Sequence, residues 1–407
     1  MQARWVQARW VQARWVQARR TAVVAVLLVS GVLGALLAGC SVGGAGQTPA
    51  ERTTPAPPAA RITTDPANHS VNISPLAPIT ATAAEGTLAQ VTMTNSAGEV
   101  IPGESAPDGA GWQTTVPLGY DETYTINATA IGPNNLAVTK TSTFSTLAPS
   151  TLTYPSMNPV DGQTVGVGQP LAIYFDEPIA NKQVAEDSIT VTTNPQVEGA
   201  FYWYADNEVH WRPQEFWAPG TTVTTDIKIY GKDLGNGIYG QEDRTATFTI
   251  GDAVIAKADG ATHQMTVEIN GQLVRTMPIS MGDAEFPSNN GVHVVTEQHA
   301  TKVMDSSTFG LELTAGGYIT EVKWATRISN GGEFVHSAPW SVGDQGHRNV
   351  SHGCINLSPE NAKWFYDTVK KGDVVINTNT GGPDLRSWDG FGDWQIPWSE
   401  WLTGGAG

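Results

Sequence analysis

The chain is 407 residues long, past the size at which one hydrophobic core keeps growing, and its 40% apolar content can fill several separate cores. Its 39 acidic residues outnumber 23 Lys and Arg, and no basic stripe occurs beyond the first 20 residues, so nucleic acid is excluded as an expected partner. Three folded units are expected.

Arg19 and Arg20 precede an apolar run from Ala22 to Leu37 that is too short and too glycine-interrupted for a bilayer span, so residues 1–39 read as a cleavable signal peptide. The following Leu37-Ala38-Gly39-Cys40 resembles the lipobox of bacterial lipoproteins, where the cysteine takes a diacylglycerol and becomes the new N-terminus. An ordinary small-residue cleavage site beside an incidental cysteine is the plainer alternative. Cleavage would remove five arginines and no acid, leaving 18 basic against 39 acidic residues and a net charge of −21. Within the signal, Gln-Ala-Arg-Trp-Val recurs every five residues from Gln2, which points to a translation start further along the chain. An unprocessed precursor beginning at Met1 would argue against that start.

Residues 40–60 carry Cys40 and a Pro-, Ala- and Thr-rich stretch without apolar periodicity, expected to be an extended tether. Residues 61–148 alternate with period two: Ala89, Val91 and Met93 on one strand face, the turn Asn95-Ser96-Ala97-Gly98, then Tyr124, Ile126, Ala128 and Ala130. Residues 149–250 repeat the plan with Leu171, Ile173 and Phe175, the turn Ala218-Pro219-Gly220, and a closing strand at Thr245–Ile250. Two tandem antiparallel β-sandwiches are predicted, resembling bacterial immunoglobulin-like modules. The aromatic cluster Phe201, Tyr202, Trp203, Tyr204, Trp211, Phe216 and Trp217 suits core and inter-domain packing, with a carbohydrate-stacking face as the alternative.

The texture changes over residues 251–377. Asn270-Gly271 between alternating runs predicts a hairpin with a primed turn, and further strands are expected at 291–296 and 317–325. One helix stands out: Ser358 as N-cap, Pro359 at the first position, Ala362, Phe365 and Val369 on one face, Lys370 and Lys371 in the last turn, and Gly372 as the stop. Residues 378–407 hold Trp388, Trp394, Trp398 and Trp401, too many for a disordered tail, and are expected to pack on a neighbouring domain.

With Cys40 used by the lipobox, Cys354 is unpaired, and His336, His347, His352 and Asn356 crowd around it with Gly353 just before it. Three readings compete. Zinc would suit three histidines and a cysteine, but the spacings match no finger or helical zinc pattern. An inert buried thiol is the structural reading, and it leaves Gly353 and Asn356 unexplained. Nucleophilic catalysis requires a base beside the thiol, whose ordinary pKa of about 8.5 leaves little thiolate at neutral pH.

Ser351-His352-Gly353-Cys354-Ile355-Asn356, with His336 upstream, resembles the signature of the L,D-transpeptidase (YkuD) family. The fold implied is mainly β: two immunoglobulin-like β-sandwiches, a β-rich YkuD-type catalytic domain with one main helix, and a Trp-rich C-terminal segment. One departure is Phe286-Pro287-Ser288-Asn289-Asn290-Gly291, where many relatives have a Thr-Pro-x-Gly turn.

The resemblance implies Cys354 as nucleophile, His336 as base and the Ser337 carbonyl as orienter of the imidazole. Gly353 would bring the backbone close and leave amides free for an oxyanion, a role shared with Tyr318. His352 and Asn356 would shape a donor pocket with Met304 and Trp340 as walls, Ser351 would fix the loop, and His347 is a lid candidate. The implied partners are peptidoglycan stem peptides, as tetrapeptide donor and diamino acid acceptor, and carbapenem inhibitors, with the membrane reached through lipid on Cys40. No metal or organic cofactor is implied. The implied place is the outer face of the cell membrane, extending into the wall. An L,D-carboxypeptidase, a protein-anchoring enzyme and a non-catalytic wall-binding lipoprotein remain alternatives; papain-like and NlpC/P60 peptidases place the cysteine before the histidine.

Overall fold

The computed structural model describes residues 59–315 and 317–405. The signal, Cys40 and nearly all of the tether lie outside the described residues. Among the described residues no helix is long and apolar enough to cross a membrane.

Period-two alternation becomes sheet throughout. The first sandwich packs the sheet of strands Arg61–Asp65, Thr80–Ala84, Gly111–Thr114 and Gly103–Ser105 against that of Ser70–Ile73, Ala137–Thr146, Thr123–Ile131 and Thr87–Thr94. Ile79, Met93, Trp112, Tyr124, Ile126 and Phe144 form its core. The expected turn is held by Asn95, whose side-chain oxygen accepts from the Ala97 and Glu99 amides. One face is corrected: Ala89 is exposed, and Leu88 packs inward in its place. A register shift between Leu88 and Gln90 inserts a residue there and flips the alternation.

The second sandwich packs Pro155–Asn158, Leu171–Phe175, Glu208–Pro213 and Gly199–Ala205 against Thr164–Val165, Arg244–Ile250, Thr222–Ile227 and Ile189–Asn194. The sandwiches are not purely antiparallel: Ser70–Ile73 and Thr164–Val165 each run parallel to a closing strand. Tyrosines join the two modules. Tyr120 donates to the Gly240 carbonyl at 2.8 Å and accepts from the Gly231 amide at 2.8 Å, while the Tyr230 hydroxyl donates to the Leu118 carbonyl.

Leu171, Ile173 and Phe175 are buried as their alternation requires, but so is Ala172, which meets Val294 and Phe391 on its other face. The second sandwich is therefore covered by the third unit and the tail. Trp203, Trp211 and Trp217 lie in the sandwich core, Tyr202 stacks on Trp401 at 4.9 Å, and Phe216 meets Trp394 edge-on at 4.6 Å. Arg212 lies under the rings of Trp394, Trp398 and Trp401 and donates to the Ile396 carbonyl at 2.8 Å. Trp388 differs from its three companions: it is 62% exposed, with Arg386 over its ring.

The third unit has two sheets. One orders Gln272–Pro278, Gln264–Ile269, Val254–Asp259, Val374–Thr378 and Gly291–Val294; the other orders Glu297–Asp305, Ile319–Arg327, Phe334–Ser337 and Ile355–Leu357. Asn270 and Gly271 both take positive φ, as a primed turn demands. The helix spans Pro359–Thr368, capped by the Ser358 side chain accepting from the Asn361 amide. It stops a turn earlier than the sequence suggests. Val369 is extended and Lys370 lies outside the helix, its amide donating to the Asp373 carboxylate at 2.7 Å. Ala362, Phe365 and Val369 still enter the core with Val335, Ile355 and Leu357, the strands that carry the site.

Candidate active site

Strand pairing assembles the site. Phe334–Ser337 runs parallel to Ile355–Leu357 with His336 opposite Asn356. Paired residues of a parallel ladder share a face, and Cys354 lies two residues before Asn356, so thiol, imidazole and amide project to one side. They line a cavity of about 240 Å³ closed by Met304, Tyr318, Trp340, Ser351 and His352, among others. All the expected site side chains are thus brought to one place except His347, which is exposed and outside the cavity.

His336 Nδ1 donates to the Ser337 carbonyl at 3.0 Å. A carbonyl only accepts, so the hydrogen is on Nδ1 and Nε2 keeps its lone pair. Burial holds the imidazole pKa below its ordinary value, and the Ser337 carbonyl offsets this only in part, so the ring is neutral at pH 7.

Cys354 is 7% exposed, and its pKa is pushed up to about 12 by burial and further by the Glu333 carboxylate, against the Phe334 amide and Arg327, which favour the thiolate. Its thiol donates to the Gly332 carbonyl at 3.7 Å. In the ground state a neutral thiol and a neutral base thus line the same cavity.

Gly353 has φ +110°, which a side chain rarely adopts, and a Cβ there would meet nothing within 4 Å. Its role is backbone conformation, which corrects the expectation of close approach. Its amide is not free either, because it donates to Ser351 Oγ at 3.2 Å. Ser351 in turn donates to the Cys354 carbonyl at 2.6 Å and so closes the loop on itself.

Tyr318 has its pKa pushed up to about 12 by burial and by the nearby Cys354, so its hydroxyl is a donor at neutral pH. Its ring lies 5.1 Å from His352, which stacks on Phe286 at 4.8 Å. Asn356 donates to Ser341 Oγ at 3.2 Å. Met304 is buried, whereas Trp340 is 58% exposed with its ring 6.1 Å from His336, so it forms the rim and not a wall. Among the described residues no group of three or more His, Cys, Asp and Glu converges as a metal site would need.

Residues not anticipated from the sequence brace this centre. Ser288, in the departing 286–291 loop, donates to the Gly353 carbonyl at 2.7 Å. Asn289 donates its amide to Glu333 Oε1 at 2.7 Å, and His293 Nε2 lies 3.0 Å from Glu333 Oε2. Asp389 accepts from the Gly331 amide at 2.9 Å. The unusual loop was the only visible signal for any of them.

Comparison with known proteins gives two family matches. A bacterial Ig domain model matches residues 70–233, and an L,D-transpeptidase catalytic domain model matches residues 253–376. L,D-transpeptidase 2 of Mycobacterium tuberculosis is 48% identical over 95% of this chain and 97% of its own length. L,D-transpeptidase 5 of the same species is 40% identical over 85% and 77%. The solved structure of LD transpeptidase LdtMt1 in complex with imipenem aligns with TM-score 0.50 and 38% identity, covering 56% of this chain and all of that one.

Proposed function

Because this chain belongs to the L,D-transpeptidase family, with bacterial immunoglobulin-like and YkuD catalytic domains, we propose that it forms peptide cross-links in peptidoglycan through a Cys354 acyl-enzyme. The observation that carries the reading is the buried thiol lining one cavity with an imidazole whose Nδ1 is committed to the Ser337 carbonyl.

In this scheme His336 Nε2 takes the thiol proton as sulfur attacks the carbonyl between the diamino acid and the terminal D-alanine of a tetrapeptide stem. The tetrahedral oxyanion accepts from the Tyr318 hydroxyl, and its collapse breaks the C–N bond. His336 returns the proton to the departing D-alanine amine. The side-chain amine of a second stem's diamino acid then attacks the thioester, His336 relays its proton to sulfur, and a 3-3 cross-link results. His352 and Asn356 shape the donor cavity. The cavity's size suits a single stem residue with its neighbours held across the Trp340 rim.

A strained β-lactam amide mimics the donor carbonyl, so carbapenems acylate the same sulfur. The imipenem complex of the related LdtMt1 supports this. The lipobox supports export, lipidation at Cys40 and residence on the outer face of the cell membrane, with the two modules reaching toward the wall. Loss of fatty-acid labelling in Cys40→Ala tests that part.

The deciding experiment is intact mass spectrometry of the protein from Ser41 onward, wild type and Cys354→Ala, mixed with a disaccharide-tetrapeptide. A thioester on Cys354 with dimeric muropeptide is expected. D-alanine release with only tripeptide would make it an L,D-carboxypeptidase, and the absence of any adduct would make it a binding lipoprotein.

A further inference from the structure

The sulfur of Cys354 is touched from one side by the loop 329–334. The Gly332 carbonyl receives its proton at 3.7 Å, and the Phe334 amide points at it and favours the thiolate. Where this loop sits therefore decides both the resting place of the nucleophile and one of its stabilising donors. Phe334 is buried in the core, but Ser329, Asn330, Gly331 and Gly332 bring no apolar side chain. That part of the turn is held by polar contacts, some within the hairpin, where Arg327 donates to the Ser329 and Asn330 carbonyls, and others from elsewhere in the chain.

One of these comes from the C-terminal tail. Asp389 is 7% exposed and its Oδ1 accepts from the Gly331 amide at 2.9 Å. The carboxylate is pressed onto the glycine: a Cβ at Gly331 would sit 2.7 Å from Asp389 Oδ2. A few residues on, the same tail is bolted to the second sandwich. Asp393 Oδ1 lies 2.7 Å from His210 Nδ1, both groups are buried, and Arg212 donates to the Ile396 carbonyl. A continuous run of short contacts thus joins a strand of the immunoglobulin-like module to the turn beside the nucleophile.

We propose that Asp389 is a positioning residue for the acylation step: by accepting the Gly331 amide it fixes the Gly332–Phe334 turn against the Cys354 sulfur and ties that turn to the second sandwich. It touches neither substrate nor the reacting atoms. The inference rests on the assignment of Cys354 as the acyl acceptor. A hydrogen bond to a carboxylate is among the stronger neutral–charged contacts, and its geometry matters more to a transition state than to binding, because sulfur must line up on the attacked carbonyl.

The test compares Asp389→Ala, Asp389→Asn and Gly331→Ala in the full chain from Ser41, following acylation by a carbapenem and turnover of a disaccharide-tetrapeptide, with melting temperature alongside. Asn keeps an acceptor oxygen at the same place and is expected to retain activity within about threefold. Asp389→Ala is expected to lower kcat on the order of tenfold or more with KM little changed, the pattern of an interaction made in the transition state. Gly331→Ala attacks the same contact from the other side and is expected to match it, and it decides the matter if Asp389→Ala does not fold. Wild-type kcat in Asp389→Ala or in Gly331→Ala, or equal losses in the Ala and Asn variants, would overturn the proposal. Failure of the wild type itself to form a Cys354 adduct would instead remove the functional assignment on which it rests.

Discussion

Replacing His336 with alanine isolates how the proton leaves Cys354. With the thiol pKa pushed up to about 12, the unassisted thiolate at pH 7 is about one part in 10⁵. The wild type avoids this shortage because the proton moves to His336 as sulfur attacks. Burial holds that imidazole below its ordinary pKa, so it is already unprotonated at pH 7. The wild-type acylation rate should therefore rise as pH climbs through a value under 6.5 and then level off, since the base is fully available while the thiol stays far below its own pKa.

In His336→Ala only free thiolate reacts. At pH 7 its rate should fall by on the order of 10²–10⁴, the usual worth of general-base help. The deficit should shrink with pH, because the thiolate fraction grows about tenfold per unit, reaching about one part in 10² at pH 10. Stopped-flow opening of a carbapenem ring, with adducts located by mass spectrometry, measures both profiles. A variant that keeps the wild-type rate at pH 7, or that shows the same plateau instead of a rising line, would refute a neutral-pair mechanism.

Two further outcomes follow from the same structure. Gly353→Ala meets no steric obstacle, yet it must hold φ near +110°, a conformation costing a side chain about 1–3 kcal/mol. Cys354 should shift and acylation should slow at least about tenfold; unchanged acylation kinetics would show that the loop tolerates the change. His210 concerns stability. Burial opposes its charge, but Asp393 and Glu208 overcome this and raise its pKa from 6.5 to about 9. Its contribution is fully present below pH 6.5 and is lost as pH rises toward 9, a swing of roughly 3 kcal/mol at 1.36 kcal/mol per unit. His210→Gln should therefore destabilise strongly near pH 6 and much less near pH 10, as read by chemical denaturation of both proteins. Equal destabilisation at both values would mean that the buried imidazole carries no charge.

The sequence exposed the reacting groups more readily than the groups that aim them, and there is a physical reason. A free cysteine, a histidine upstream and a glycine needed for positive φ are local features, and the parallel pairing of Phe334–Ser337 with Ile355–Leu357 brings them together from nearby chain. Period-two alternation likewise predicted the strands. It failed at Ala89, where a bulge with no residue signature flips the faces, and the helix reading failed at Lys370, where the chain trades the last helical turn for a carboxylate contact.

Asp389 and Glu333 had no such signal, and Ser288 only the unusual loop around it. Each acts through hydrogen bonds that reach groups forty or more positions away, and a single acid or serine in a loop looks the same whether it is solvated or buried against a distant amide. The four tail tryptophans announced packing but not its partner. That partner is Arg212, a buried cation legible only once the strand pairing places it beneath three rings. Chemistry therefore clusters in sequence because it needs specific residue types. Orientation is spread across the chain because any well-placed acceptor serves, and so the tail, remote from the reacting atoms, ends one bond away from the turn that holds the sulfur.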